Sequence, residues 1–131
     1  MKITQVMLDD LTEQAKNNER LRMNLDLRDS EKDGSQRMLN AIEPGSPLPI
    51  HRHQKSSEVM ACLRGKLRVE YYDELERTCT ESFIIEPNGV NVAVSIPVGV
   101  WHTVHALESG TCILEMKNGK YEPISEADIL K

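Results

Sequence analysis

Three of the chain's four histidines stand where imidazoles could share a cation, and a glutamate stands close by. His51-Arg52-His53 puts two imidazoles two residues apart. In an extended segment such residues point to one face, about 6.5–7 Å apart, and their nitrogens can converge on one ion at roughly 2.0–2.1 Å. Glu58 follows at an odd interval from His53, which would turn it to the opposite face of an unbroken strand. The intervening Gln54-Lys55-Ser56-Ser57 has no large apolar residue and reads as a turn. That turn resets the parity and lets Glu58 open the next strand facing the same ion. His102 lies just past the turn signal Pro97-Val98-Gly99. Parity groups it with Val100 and Val104 and puts Trp101, Thr103 and His105 on the other face, so His105 stays outside the site. Three imidazoles and one carboxylate suit one divalent transition metal, Fe(II), Mn(II), Ni(II) or Zn(II). Four protein ligands on an ion that takes six leave about two positions for water, substrate or dioxygen.

Strands must carry these residues. Short apolar runs are cut by Pro, Gly, Asn and charged clusters at the spacing of an all-β sandwich or barrel. The expected strands are 36–42, 50–53, 58–64, 66–72, 78–85, 91–96, 101–106 and 111–117. No helical pattern separates them, which excludes a parallel βαβ arrangement. Before them, Val6, Met7, Leu8, Leu11 and Ala15 recur at helical spacing over 4–16, with Thr4 as N-cap. Asp29–Gly34 reads as a polar loop, and Ser125 with Asp128 as a cap for a C-terminal helical turn. The chain reads as one domain over 1–131: helix and loop over 1–34, barrel over 35–118 and tail over 119–131.

The net charge of −5 and scattered Lys and Arg give no nucleic-acid surface, and no apolar run reaches the ~20 residues that span a bilayer. Asp9 and Asp10 fall where a signal peptide needs an apolar stretch. Cys62, Cys79 and Cys112 are odd in number and far apart, which fits a reducing cytoplasm and free, buried thiols.

At its histidines the sequence resembles the cupin superfamily. The first cupin motif is met by Gly45, His51, His53, Glu58 and Gly65 with every spacing, and the second by Pro97, Gly99 and His102, with Ala106 at its usual closing Asn. A narrower resemblance is to the WbuC-type cupins of bacterial polysaccharide (O-antigen) gene clusters. It covers Arg22 and Asn24, Gln36–Ala41, Glu43-Pro44-Gly45, Leu63-Arg64-Gly65 and Trp101-His102-Thr103. It continues through Glu115, Lys117, Gly119, Tyr121 and Pro123. The resemblance implies an all-β double-stranded β-helix, a jelly-roll-like barrel holding a metal and commonly a homodimer. It also makes Arg22, Asn24, Gln36 and Asn40 candidates for substrate binding.

On the strand that Glu58 opens, Met60, Cys62 and Arg64 share its face by parity. Arg64 then stands near a strand end, either clamping a phosphate or carboxylate or solvated beside the Gly65 turn. Glu115, Lys117, Tyr71 and Tyr121 are further candidates for the pocket wall. The outward alternates Val59, Ala61 and Leu63 need cover from the helix or a second copy, as does Trp101. The leading expectation is a metal-dependent enzyme acting on a sugar or sugar-nucleotide by isomerisation or epimerisation. The alternatives are a non-catalytic, metal-dependent sugar-binding or regulatory module and a ferrous dioxygenase.

Overall fold

Thr4 starts the first element: its hydroxyl accepts a hydrogen bond from Met7 N at 3.2 Å, and helix α1 runs Gln5–Lys16. In the computed structural model, which describes residues 1–131, α1 lays the stripe Leu8, Leu11 and Ala15 on Leu39, Ala41 and Cys112 of a sheet. The strands are β1 (Arg22–Asp26), β2 (Ser35–Ile42), β3 (Glu58–Arg64), β4 (Leu67–Tyr72), β5 (Cys79–Ile85), β6 (Ala93–Ile96), β7 (Trp101–Ala106) and β8 (Thr111–Asn118). They form one sheet in the order β1-β2-β8-β3-β6 and a second in the order β5-β4-β7, with every pairing antiparallel. Inward alternates from both sheets, among them Met60, Leu67, Val69, Ile85, Ile96, Val104 and Ile113, make the core between them. This is the all-β, jelly-roll-like architecture with a short N-terminal helix, and the C-terminal helical turn is one 3-10 turn over Glu126–Asp128.

The sharp turn from β3 to β4 needs glycine. Gly65 has φ +81, and a Cβ there would lie 2.6 Å from the Cα of Thr111, so both conformation and space exclude a side chain.

Four expectations are corrected. The 50–53 segment is no strand: only His51 forms bridges, to His102 on one side and Ile129 on the other. Pro49 has no N–H to extend the pairing, and the segment is held by alternate bonds instead, Arg52 N to Asp128 O at 3.0 Å and Leu130 N to Ile50 O at 2.8 Å. Within the 1–34 segment, β1 is a strand paired with β2. Its polar alternates Arg22 and Asn24 face inward, exposed Asp26 ends the strand, and Met23 and Leu25 pack with the helix cluster. Cys79 is exposed, unlike Cys62 and Cys112, because it starts β5 at a sheet margin. Trp101 is covered by the Arg52 guanidinium, 4.4 Å from the ring centroid, with Arg52 itself held to Asp128 at 3.0 Å. No helix is long and apolar enough to cross a membrane.

Candidate metal centre

Different parts of the fold deliver the four candidate ligands. His102 comes from β7 in the three-stranded sheet and Glu58 from the start of β3 in the five-stranded sheet. His51 is fastened to His102 by a reciprocal backbone pair, His51 N to His102 O at 3.0 Å and His102 N to His51 O at 2.8 Å. His53 follows two residues on, its carbonyl accepting from Gly99 N at 2.8 Å. One donor atom from each residue falls within 4.8 Å of all the others.

Backbone carbonyls set the imidazoles. His51 Nδ1 lies 2.9 Å from Pro49 O and His102 Nδ1 lies 2.9 Å from Val100 O. A carbonyl only accepts, so each Nδ1 carries the proton and each Nε2 keeps its lone pair for the centre. Glu58 Oε2 is 2.9 Å from His53 Nε2 and 3.7 Å from His102 Nε2. Yet neither Glu58 Oε2 nor His102 Nε2 has a partner in hydrogen-bond geometry, and both are buried. Two buried polar atoms left without partners are costly, and one cation would satisfy both. The residues therefore fit a divalent transition metal. The electrostatics agree. Burial, with the neighbouring His102, lowers His51 to about 4, so it is a neutral ligand at pH 7. Burial pushes Glu58 up, but His102 and His53 outweigh it and hold the carboxyl below its ordinary range.

The cluster opens into a cavity of about 270 Å³, the scale of a small ligand. Six of the seven further candidates line it: Arg22, Asn24, Gln36, Asn40, Glu115 and Tyr121. Strand register explains the grouping. Lys117 is the partner of both Gln36 and Glu58, and Glu115 is the partner of both Met38 and Met60, so these side chains tile the inner face of the five-stranded sheet. Lys117 Nζ reaches His53 Nδ1 at 3.1 Å. Burial, then the charge of Glu58, raises the Glu115 carboxyl to about 8, and Asn40 Oδ1 is buried without a partner.

Arg64 is the exception, and it corrects the parity argument. The ladder slips between Cys62 and Arg64 at a β-bulge, so Arg64 leaves the inner face. Its guanidinium instead ties α1 to the sheet, donating to Gly110 O at 3.0 Å, Thr12 Oγ1 at 3.1 Å and Asp9 Oδ1 at 2.7 Å. Tyr71 is also outside the cavity, packed edge-on to Phe83 with ring centroids 5.6 Å apart. His105 turns away from the centre and pairs with Glu70 at 2.8 Å. Sequence reasoning missed Arg20, which lines the cavity beside Arg22; the left-handed Leu21 between them breaks strand alternation, so spacing gave no signal for it.

Comparisons with solved structures agree on the fold. KdgF from Halomonas sp. matches with a TM-score of 0.59 at 15% identity, covering 76% of this chain and 82% of that one. A cupin-2 domain from Rhodospirillum rubrum matches with a TM-score of 0.58 at 18% identity, covering 82% and 68%. The capsular polysaccharide assembling protein CapF from Staphylococcus aureus matches with a TM-score of 0.66 at 19% identity, covering 81% of this chain but only 30% of its own. At these identities the likeness shows a shared cupin fold and nothing finer. No curated protein matches the chain. Over residues 3–84, a stretch that holds His51, His53 and Glu58 and stops short of His102, the chain belongs to the family described as Domain of unknown function (DUF6016).

Proposed function

We propose that this chain is a metalloenzyme that holds one divalent transition metal at His51, His53, Glu58 and His102. It isomerises or epimerises a sugar or sugar-nucleotide in surface-polysaccharide synthesis. The carrying observation is the pair of buried, partnerless atoms Glu58 Oε2 and His102 Nε2 at a cluster that opens into a polar cavity. A bound metal would supply Lewis acidity toward a carbonyl or hydroxyl oxygen of the ligand. Around it, the chain's own residues hold and orient. Val100 O and Pro49 O fix the imidazole tautomers, and Asn40 Oδ1 is free to accept from a ligand hydroxyl. Glu115, whose carboxyl burial raises above its ordinary range, can give and regain a proton at its carboxyl oxygen, the role that isomerisation requires.

The polysaccharide setting is supported by the resemblance to WbuC-type cupins and by the shared fold with CapF, a capsular polysaccharide assembling protein. A homodimer belongs to the same reading, supported by the outer-face residues Val59, Ala61 and Met116, which lie outside the helix-covered cluster. Three free cysteines support a cytoplasmic setting.

The test combines metal analysis with turnover. We expect about one transition metal per chain, lost in His102→Ala. Metal at a hundredfold its Kd should stabilise the wild type by about 2.7 kcal/mol and the variant not at all. Full turnover of a sugar by thoroughly demetallated protein would refute the proposal.

A further inference from the structure

We infer that the cavity's ligand is an anion, a small molecule whose carboxylate or phosphate group is held by Arg20 and Arg22. This rests on the reading of the cavity as the ligand site and narrows the ligand class.

The argument begins with how the arginines are spent. Of eight arginines, five lie within ion-pair distance of a carboxylate. Arg20, Arg22 and Arg77 do not, and two of these three line the same cavity. Arg22 is half-buried and finds only a backbone carbonyl, that of Pro47. Burial, and then the charge of Arg20, lower its pKa, with Glu115 acting the other way.

The backbone between them is held in an unfavourable conformation. Leu21 has φ 54, in the left-handed region where a leucine is strained. Three bonds impose it: Leu21 N donates to Asn18 O at 3.0 Å, Leu21 O accepts from Glu43 N at 2.9 Å, and Arg20 O accepts from Ser46 Oγ at 2.6 Å. Strain sustained by surrounding structure is characteristic of binding and catalytic positions. Here it fixes two like charges side by side at a cavity wall.

No acid of the cavity pairs with that charge. Glu58 belongs to the histidine cluster, Glu122 is paired with Lys55 at 2.9 Å, and Glu115 acts on Arg22 only through space, with neither arginine within ion-pair distance of a carboxylate. Lys117 also lines the cavity and has no carboxylate in ion-pair range. The fork geometry of guanidinium suits a planar carboxylate or a phosphate, with two parallel N–H bonds each.

The test is calorimetry on the full chain with glucose, glucuronate and glucose 6-phosphate, which share a ring and differ in charge. Metal content is measured on each sample before the sugar is added. At least one charged sugar should bind about tenfold or more tighter than glucose, with its affinity falling as salt rises. Glucuronate against glucose 6-phosphate tells which group is recognised. Arg22→Gln should erase the preference, and Arg20→Gln, at an exposed position, should reduce it. Equal binding of glucose and both charged sugars, no binding of either charged sugar, or an unchanged preference in both variants would each overturn the inference. A chain that takes up no metal yet prefers the anion keeps the inference and loses the metal reading. One that binds metal and shows no preference does the reverse.

Discussion

Replacing Arg64 with methionine keeps most of the aliphatic stem and removes the guanidinium that joins α1 to the sheet. The side chain is 23% exposed, and its Asp9 partner is 69% exposed. Their ion pair is therefore screened by water and contributes under about 1 kcal/mol. The bonds to Gly110 O and Thr12 Oγ1 are part-buried. A charged donor there is worth about 1.5–3 kcal/mol per bond at most, and water recovers some of it at the carbonyl. Together the loss comes to about 2–3 kcal/mol. At about 3–5 °C per kcal/mol for a domain of this size, that lowers Tm by roughly 10 °C. Urea denaturation should show a lower midpoint at unchanged slope, while Asp9→Asn alone should cost under about 1 kcal/mol. Metal uptake and ligand affinity should not change, because the bulge has turned Arg64 out of the cavity. Unchanged stability with weakened ligand binding would refute the reasoning and return Arg64 to the pocket.

In the native protein one thiol of three should label rapidly with a disulfide reagent: Cys79 is exposed, whereas Cys62 and Cys112 are buried and burial pushes the Cys62 thiol up to about 11. Fast labelling of Cys79→Ser would contradict the burial of the other two. In the metal-free protein Glu115 lowers stability as pH rises from about 4.5 to about 8, because the folded carboxyl retains a proton that the unfolded chain has released. His51, lowered to about 4, gives the opposite slope up to about 6.5, so the net loss should show between about 6.5 and about 8. Glu115→Gln should flatten that slope in urea midpoints measured across the window, and an unaltered slope would assign it to another group.

The clustering of His51, His53, Glu58 and His102 was legible because their spacings match the cupin motifs that the sequence resembles. The strand parity that put His51 and His53 on one face does not hold, since 50–53 is no strand and the pairing of His51 with His102 places them instead. His102 needed only its place after Pro97 and Gly99. The fold was legible because turn signals between short apolar runs are local, and seven of the eight strands expected form. What failed was whatever depends on partners distant in sequence. Parity put Arg64 in the pocket, and a single slipped residue in the ladder to β8 removed it. The alternation of Arg22 and Asn24 against Met23 and Leu25 was present, but its polar side faces a cavity and its apolar side a helix. That inverts the usual sense of inside and outside. For Trp101, nothing local indicates that a residue far along the chain, Asp128, secures the arginine that covers it.

Because Glu58 and His102 belong to opposite sheets, an ion gripped by both is a rivet through two leaves. Prying the leaves apart at that end would require shedding a ligand, so breathing of the barrel mouth and release of the ion become one event. Amide protons around β7 and the start of β3 should then exchange on the timescale of metal loss, while the far end of the sandwich keeps its own slower clock.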